Sequence, residues 1–262
     1  MPLERPRSVL WEDLRRPEFD ALDRERSVVI LPVASLEQHG PHLPVSTDVA
    51  IARTVAVRAA EGARDGPVLV LPVVWFGVTP FHMLYQGTVS LSATTLIHVV
   101  TDLCRSLQRQ GFRRIILLNS HGGNIGTLEA AALRLLDLGL RVAAVTYWLL
   151  IPEEMKNFSE ADRGAMGHAA HVETSLQLHL QPQHVDRTAM TGEHRGTTSV
   201  WGIPPELMHG IYMPPNFRRY TRSGVGGDHT QATDRVGQSI IEASGSALAR
   251  FIEAYRTVPL EE

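Results

Sequence analysis

Continuous apolar runs and longer amphipathic segments take turns along this chain. Four short runs read as buried strands: Ser27–Val33, Pro67–Phe76, Arg113–Asn119 and Arg141–Trp148. Between and after them, apolar residues recur at helical spacing. Thr47 to Ala63 predicts an alanine-rich helix that stops near Gly62 and Gly66. Ser92 caps a helix to about Gln110, with Leu96, Val99, Val100, Leu103 and Leu107 on one face and Gly111 at its end. Further helices are expected from Asn124 to about Leu138, from His168 to Leu180 and from Thr230 to Thr257. Residues 8–26 predict a short amphipathic helix or turn anchored by Trp11 and Leu14. Four strand–helix alternations point to an α/β fold, a parallel sheet with helices on both faces. Residues 149–167 are polar and irregular enough for a lid. Residues 181–229, rich in Pro, Gly and Thr, predict an elaborate loop region. With no clean boundary in sight, residues 1–262 are expected to form a single domain.

The stretch from Ser35 to Asp48, directly after the first strand, concentrates Glu37, His39, His42 and Asp48. Glu37 and His39 lie two apart and point the same way in an extended segment. Pro41 and Pro44 keep the stretch out of any helix, and Asp48 sits where the next helix begins. Taken singly, these residues suit a polar loop with a helix-capping Asp. Together, two carboxylates and an imidazole at a strand's carboxyl end are the parts of a divalent-metal site.

Two more clusters gain weight from the first. His121, in Asn119-Ser120-His121-Gly122-Gly123-Asn124, follows the third strand and so lies on the sheet edge where open α/β folds bind ligands. The two glycines permit a tight turn, and Asn124 sits near a helix N-terminus. In Gly167-His168-Ala169-Ala170-His171-Val172-Glu173, a helix begun at His168 would give His168 and His171 one face and leave Glu173 off it. A helix begun near His171 would instead let His168 project from the preceding turn and Glu173 reach the same cavity. The glycine-rich Gly224–His229 stretch suits either a plain turn or a flap over substrate. His82 and several other histidines have no evident partner.

Composition narrows the functional classes. The formal net charge of −3 argues against a nucleic-acid footprint or a polybasic membrane surface. The single cysteine, Cys104, excludes an internal disulfide framework and falls on the apolar face of its helix. No apolar run reaches membrane-spanning length, and the first residues lack a signal peptide's apolar core. A cytoplasmic enzyme is the expectation.

The ordered motifs Glu-Gln-His-Gly-Pro-His-Leu-Pro with Thr-Asp, Asn-Ser-His-Gly-Gly-Asn, and His-Ala-Ala-His-Val-Glu-Thr-Ser resemble those of the creatininase (creatinine amidohydrolase) family. So do Gln86–Leu91 and Gly227-Asp228 with Ala232-Thr233, so the likeness runs from about Val28 to Phe251. The resemblance implies a three-layer αβα sandwich with a mostly parallel central sheet, a homo-oligomer up to a hexamer, and one or two zinc, manganese or iron ions per subunit. By motif it puts Glu37, His39, Asp48 and His121 on metal ligands, Asp48 on the bridging position, and His168 on the acid–base histidine. Three departures stand out. Gly122 and Gly123 replace a tyrosine and a metal-binding glutamate, Gly164 replaces a covering tryptophan, and His171 stands where many relatives have glutamate. Glu173 is expected to supply the missing ligand and to join the catalytic group.

The expected function is a metal-dependent amidohydrolase acting on a small-molecule amide. A metal-bound hydroxide attacks a non-peptide or cyclic C–N bond, and His168 protonates the leaving nitrogen. Gly122 and Gly123 are expected to line a substrate pocket too open for creatinine. The alternatives are a lactone or cyclic-imide hydrolase on the same site, or a non-catalytic metal-containing binding protein.

Overall fold

The computed structural model describes residues 6–157, 167–190, 211–214 and 217–259. Four strands pair in parallel: β1 (Val28–Val33), β2 (Val68–Val70), β3 (Arg114–Asn119) and β4 (Val142–Thr146). Their order is β2-β1-β3-β4. Val33 lies opposite Asn119, and Asn119 opposite Thr146, so β1 and β3 end side by side. The chain leaves β1 towards β2 on one side and crosses back to β3 on the other. That reversal opens a crevice beyond the carboxyl ends of β1 and β3.

The helices in chain order are α1 (Arg16–Asp20), α2 (Thr47–Gly62), α3 (Ala93–Arg109), α4 (Ile125–Asp137), α5 (Pro152–Met155), α6 (His171–Leu180), α7 (Phe217–Tyr220) and α8 (Asp234–Arg256). Side chains alternate across each strand, which divides the core into two layers. Val28, Ile30, Ile116 and Leu118 pack on the side of α2, α6 and α8. Val29, Leu31, Ile115 and Leu117 pack on the side of α3 and α4. The result is the αβα sandwich expected. Each fully buried aliphatic side chain contributes roughly 1.5–3 kcal/mol, so the sheet edge rests on a stiff base.

Several boundaries differ from the sequence reading for local reasons. The second strand was expected to run to Phe76, but its regular ladder stops at Val70. Pro72 brings no N–H, although Leu71 and Val74 still donate to the Ile30 and Pro32 carbonyls. Ser92 caps α3 as expected, accepting from Thr95 N at 3.1 Å. Leu103, expected on the buried face, is 36% exposed. Cys104 is buried, and burial pushes its thiol up to about 12. The helix expected from His168 begins only at His171. His168 instead pairs through its backbone with Gly226, and Ala169 turns the chain with φ +52. The last helix starts at Asp234, capped by Thr233, rather than at Thr230. Gly237 of α8 lies so close to α6 that a Cβ there would sit 2.0 Å from the Ser175 carbonyl oxygen. Among the described residues no helix is long and apolar enough to cross a membrane. Residues 158–166 of the expected lid and much of the 181–229 loop region lie outside the described residues.

Candidate metal centre

Glu37 and His39 leave the end of β1, Asp48 sits in the first turn of α2, His121 follows β3, and Glu173 stands in the first turn of α6. All of them are buried, with Glu37 1%, His39 0% and Asp48 1% exposed. Glu37 Oε1 lies 3.2 Å from His121 Nδ1, and Asp48 Oδ2 3.4 Å from the same atom. On the other side, His39 Nε2 is 3.4 Å from Asp48 Oδ1 and 3.6 Å from Glu173 Oε2. Asp48 thus stands between His39 and His121. His168 Nδ1 approaches Glu37 Oε1 at 3.6 Å and Glu173 Oε2 at 4.0 Å. These are the residues singled out in the sequence, brought together at one sheet edge.

The ring nitrogens facing away from the carboxylates are all committed to backbone. His39 Nδ1–H donates to the Glu37 carbonyl at 3.0 Å, His121 Nε2–H to Val78 at 3.2 Å, and His168 Nε2–H to Gln38 at 2.8 Å. A neutral imidazole anchored through one nitrogen offers a lone pair at the other, the usual arrangement of a ligating histidine. Among the described buried polar atoms, His39 Nε2 and Asp48 Oδ2 have no hydrogen-bond partner. Imidazole and carboxylate donors converging with such orphaned atoms fit a divalent cation of the zinc or manganese type. Ligand atoms of Glu37, His39 and Asp48 lie within 4.8 Å of one another, as do those of His39, His168 and Glu173.

The electrostatics carry the same demand for positive charge. Burial drives the His121 ring towards neutrality, yet Glu37 and Asp48 outweigh it and lift it to about 10. Burial alone would raise Glu37 and Asp48, but the neighbouring imidazoles hold both below the usual carboxylate range. Glu173 remains raised, chiefly by burial. His168 is pushed well below its ordinary value by burial, then by His82 and His39.

Supporting residues hold this edge in register. Ser35 Oγ donates to Glu37 Oε2 at 2.9 Å, and Ser120 Oγ to the Asp48 carbonyl at 3.0 Å. The Asn119 side chain accepts from His121 N and donates to the His121 carbonyl and Thr146 Oγ1. Asn124 sits at the N-terminus of α4, as expected, and its side chain joins the Ala34 carbonyl to Val78 N rather than capping the helix. Val225 is buried, and the Gly224 carbonyl accepts from Gln38, so this glycine-rich segment is packed over the site.

Two readings of the sequence need correction. His82, without an evident partner in sequence, is 2% exposed and lies 3.6 Å from Glu37 Oε1, stacked on His168 at 4.2 Å. Its only signal was that its loop follows the carboxyl end of the second strand. Gly123 was expected to widen the pocket together with Gly122. A Cβ at Gly122 would meet nothing within 4 Å, but one at Gly123 would strike the Val78 carbonyl at 2.2 Å and His121 Nε2 at 2.5 Å. Backbone from the 77–81 loop has taken that space. Gly164 lies outside the described residues. His171 opens α6 half-buried, while His168 precedes the helix, so the two do not share a helical face.

Comparison with known proteins agrees with this geometry. The family model described as creatinine amidohydrolase, of the creatininase family, matches residues 12–252. The mycofactocin precursor peptide peptidase of Mycolicibacterium smegmatis is 34% identical over 232 residues, covering 87% of this chain and 85% of that protein. The creatinine amidohydrolase of Pseudomonas putida is 32% identical over 197 residues, covering 69% and 75%. A mutant creatininase of the Zn-Zn type superposes with a TM-score of 0.77 at 28% identity, covering 96% of this chain and all of the other. With a family match across nearly its whole length and the family's motifs gathered at one sheet edge, this chain belongs to the creatininase family.

Proposed function

We propose that this protein is a metal-dependent amidohydrolase in which Glu37, Asp48 and His121 hold one divalent cation and His39, Asp48 and Glu173 a second. The observation that carries the reading is the set of three imidazoles, each anchored to a backbone carbonyl and aimed at buried carboxylates. The similar creatininase of the Zn-Zn type supports zinc at both positions. Glu173 then takes the part of the carboxylate that Gly123 lacks. When bound, such cations supply Lewis acidity and make a water more acidic.

The chain's own residues do the rest. His168, neutral and anchored at Nε2, accepts a proton at Nδ1 and returns it to the departing nitrogen, which would otherwise be a poor leaving group. Phe81 lies over His121 with ring centroids 5.9 Å apart, and with open Gly122 it leaves room for an acyl or ring substituent. That opening favours an amide bulkier than creatinine, cyclic or N-formyl. A second reading, a peptide C–N bond, is favoured by the similarity to a peptidase. A lactone would need no proton at its leaving atom before cleavage, so it makes less use of His168.

The test is a comparison of kcat/KM for creatinine, larger cyclic amides, N-formyl compounds, short peptides and lactones with the metal-replete protein. A bulkier amide is expected to be best. Creatinine best by about tenfold would overturn the reading of Gly122, and full activity after complete chelation would overturn the metal-dependent mechanism. His168→Asn is expected to keep its metal and lose roughly 10²–10⁴ in turnover. Metal loss in that variant would make His168 a ligand.

A further inference from the structure

We propose that Gln38 is a positioning residue that sets the ring tautomers of His82 and His168. His168 then meets the carboxylates with a bare Nδ1, and His82 meets them with an N–H. The inference rests on the reading of His168 as the acid–base group, and it follows from donor and acceptor accounting around one side chain.

Gln38 is 6% exposed and sits between the two metal-facing residues Glu37 and His39. Its Oε1 accepts from Gly40 N at 2.9 Å, and its Nε2 donates to the Gly224 carbonyl at 3.0 Å. The flipped amide would set donor against donor at Gly40 and acceptor against acceptor at Gly224, so the orientation is determined. One amide hydrogen remains. Two ring nitrogens lie within reach of it, His82 Nδ1 at 3.1 Å and His168 Nε2 at 3.0 Å. His168 Nε2 also lies 2.8 Å from the Gln38 backbone carbonyl, an acceptor only. That nitrogen must therefore carry the proton, and it cannot accept from the amide. The remaining amide hydrogen goes to His82 Nδ1, which leaves the proton of His82 on Nε2, 3.6 Å from Glu37 Oε1.

One residue thus gives two stacked imidazoles opposite characters. His168 receives its tautomer from the Gln38 backbone and His82 receives its tautomer from the Gln38 side chain. Ligand atoms of Glu37, His82 and His168 lie within 4.8 Å of one another and would suit a cation. With Nε2 protonated, His82 is no ligand. It steadies Glu37 and packs His168 against Phe217, whose ring centroid is 4.4 Å from that of His82. Gly224 belongs to the same device, since a Cβ there would sit 2.0 Å from Gln38 Oε1 and displace the amide.

The experiment is long-range ¹H–¹⁵N correlation on the zinc-loaded full chain with ring-labelled histidine, assigned with His82→Asn and His168→Asn. His82 and His168 are both expected as Nε2–H. Either ring protonated at Nδ1 alone, or zinc on His82 Nε2, overturns the proposal. In Gln38→Glu a carboxylate replaces the donor, so His82 is expected to move to Nδ1–H while His168 stays as it was. Turnover should fall about 10- to 100-fold, the usual worth of an outer-shell partner, with KM little changed and zinc retained. An unmoved His82 signal, or a moved signal with full turnover, overturns it. Should Gln38→Glu not fold, Gln38→Met removes donor and acceptor together and is expected to give His82 signals for both tautomers; a single unchanged signal overturns the assignment. The expected tautomers without hydrolysis of any substrate would uphold this proposal and remove the amidohydrolase reading. Hydrolysis with His82 protonated at Nδ1 would do the reverse.

Discussion

Replacing Gly237 by alanine tests whether the contact between α8 and α6 governs the candidate metal centre. The added Cβ would lie 2.0 Å from the Ser175 carbonyl oxygen, 2.6 Å from its carbon and 2.9 Å from His179 Cβ. Ordinary contacts begin near about 3.5 Å, so the helices must part by roughly 1.5 Å. The obstacle is backbone, which cannot swing aside as a side chain would. Overpacking of this kind costs about 1–3 kcal/mol, and a backbone clash belongs at the upper end. Better helix propensity of alanine returns up to about 1 kcal/mol. The expected net loss is about 2 kcal/mol, or roughly 4–8 °C in Tm for a chain of this size. Ser175 lies two residues beyond Glu173 on α6, so the same displacement draws Glu173 away from His39 and weakens metal binding. The assays are thermal unfolding of the metal-free protein and zinc titration. Gly126→Ala is the control, since a Cβ there meets nothing within 4 Å; its stability should hold or rise by up to about 1 kcal/mol. A Gly237→Ala protein as stable as the parent, with unchanged zinc affinity, would refute the reasoning.

Three further outcomes are expected. Glu173→Gln should lower metal content by elemental analysis while Glu37, Asp48 and His121 keep theirs, and full content would remove Glu173 from the ligands. Cys104, raised to about 12 by burial, should react with a thiol reagent only on unfolding, so prompt labelling of the native protein would contradict its core position. His42 is held down to about 4 by burial first and His229 second, so it stays neutral in the fold while the unfolded ring takes a proton below 6.5. Its contribution is complete above 6.5 and is lost as pH falls from 6.5 towards 4, up to about 2 kcal/mol at pH 5. The drop in Tm between pH 7 and 5 should therefore be smaller in His42→Gln, and equal drops would argue against it.

The apolar runs made β1 and β3 legible because strands buried on both faces read as short continuous apolar runs, too short for helices and bounded by turn residues. β4, largely half-buried, was legible from the same run length and bounds. The two proline-bearing and glycine-bearing loops after β1 and β3 were legible for the same local reason. With them came Glu37, His39, Asp48 and His121, whose residue types state their chemistry wherever the sheet edge is known. The start of α6 was open in sequence between His168 and His171, and pairing of His168 with Gly226, far along the chain, decided it.

Other features had no local trace at all. His82 enters the site because a three-residue turn at Pro80–His82 packs against Glu37 and His121, in the loops that follow β1 and β3, and nothing in its own neighbours requires that. Gly123 looked like open space in sequence, but the Val78 carbonyl fills it, since the absence of a side chain allows a pocket and a backbone approach equally. The identities of the donors were written in the sequence. Which ring nitrogen of His39, His121 and His168 faces the carboxylates was decided by the backbone carbonyls of Glu37, Val78 and Gln38, because only the tertiary fold determines which ring nitrogen finds an acceptor.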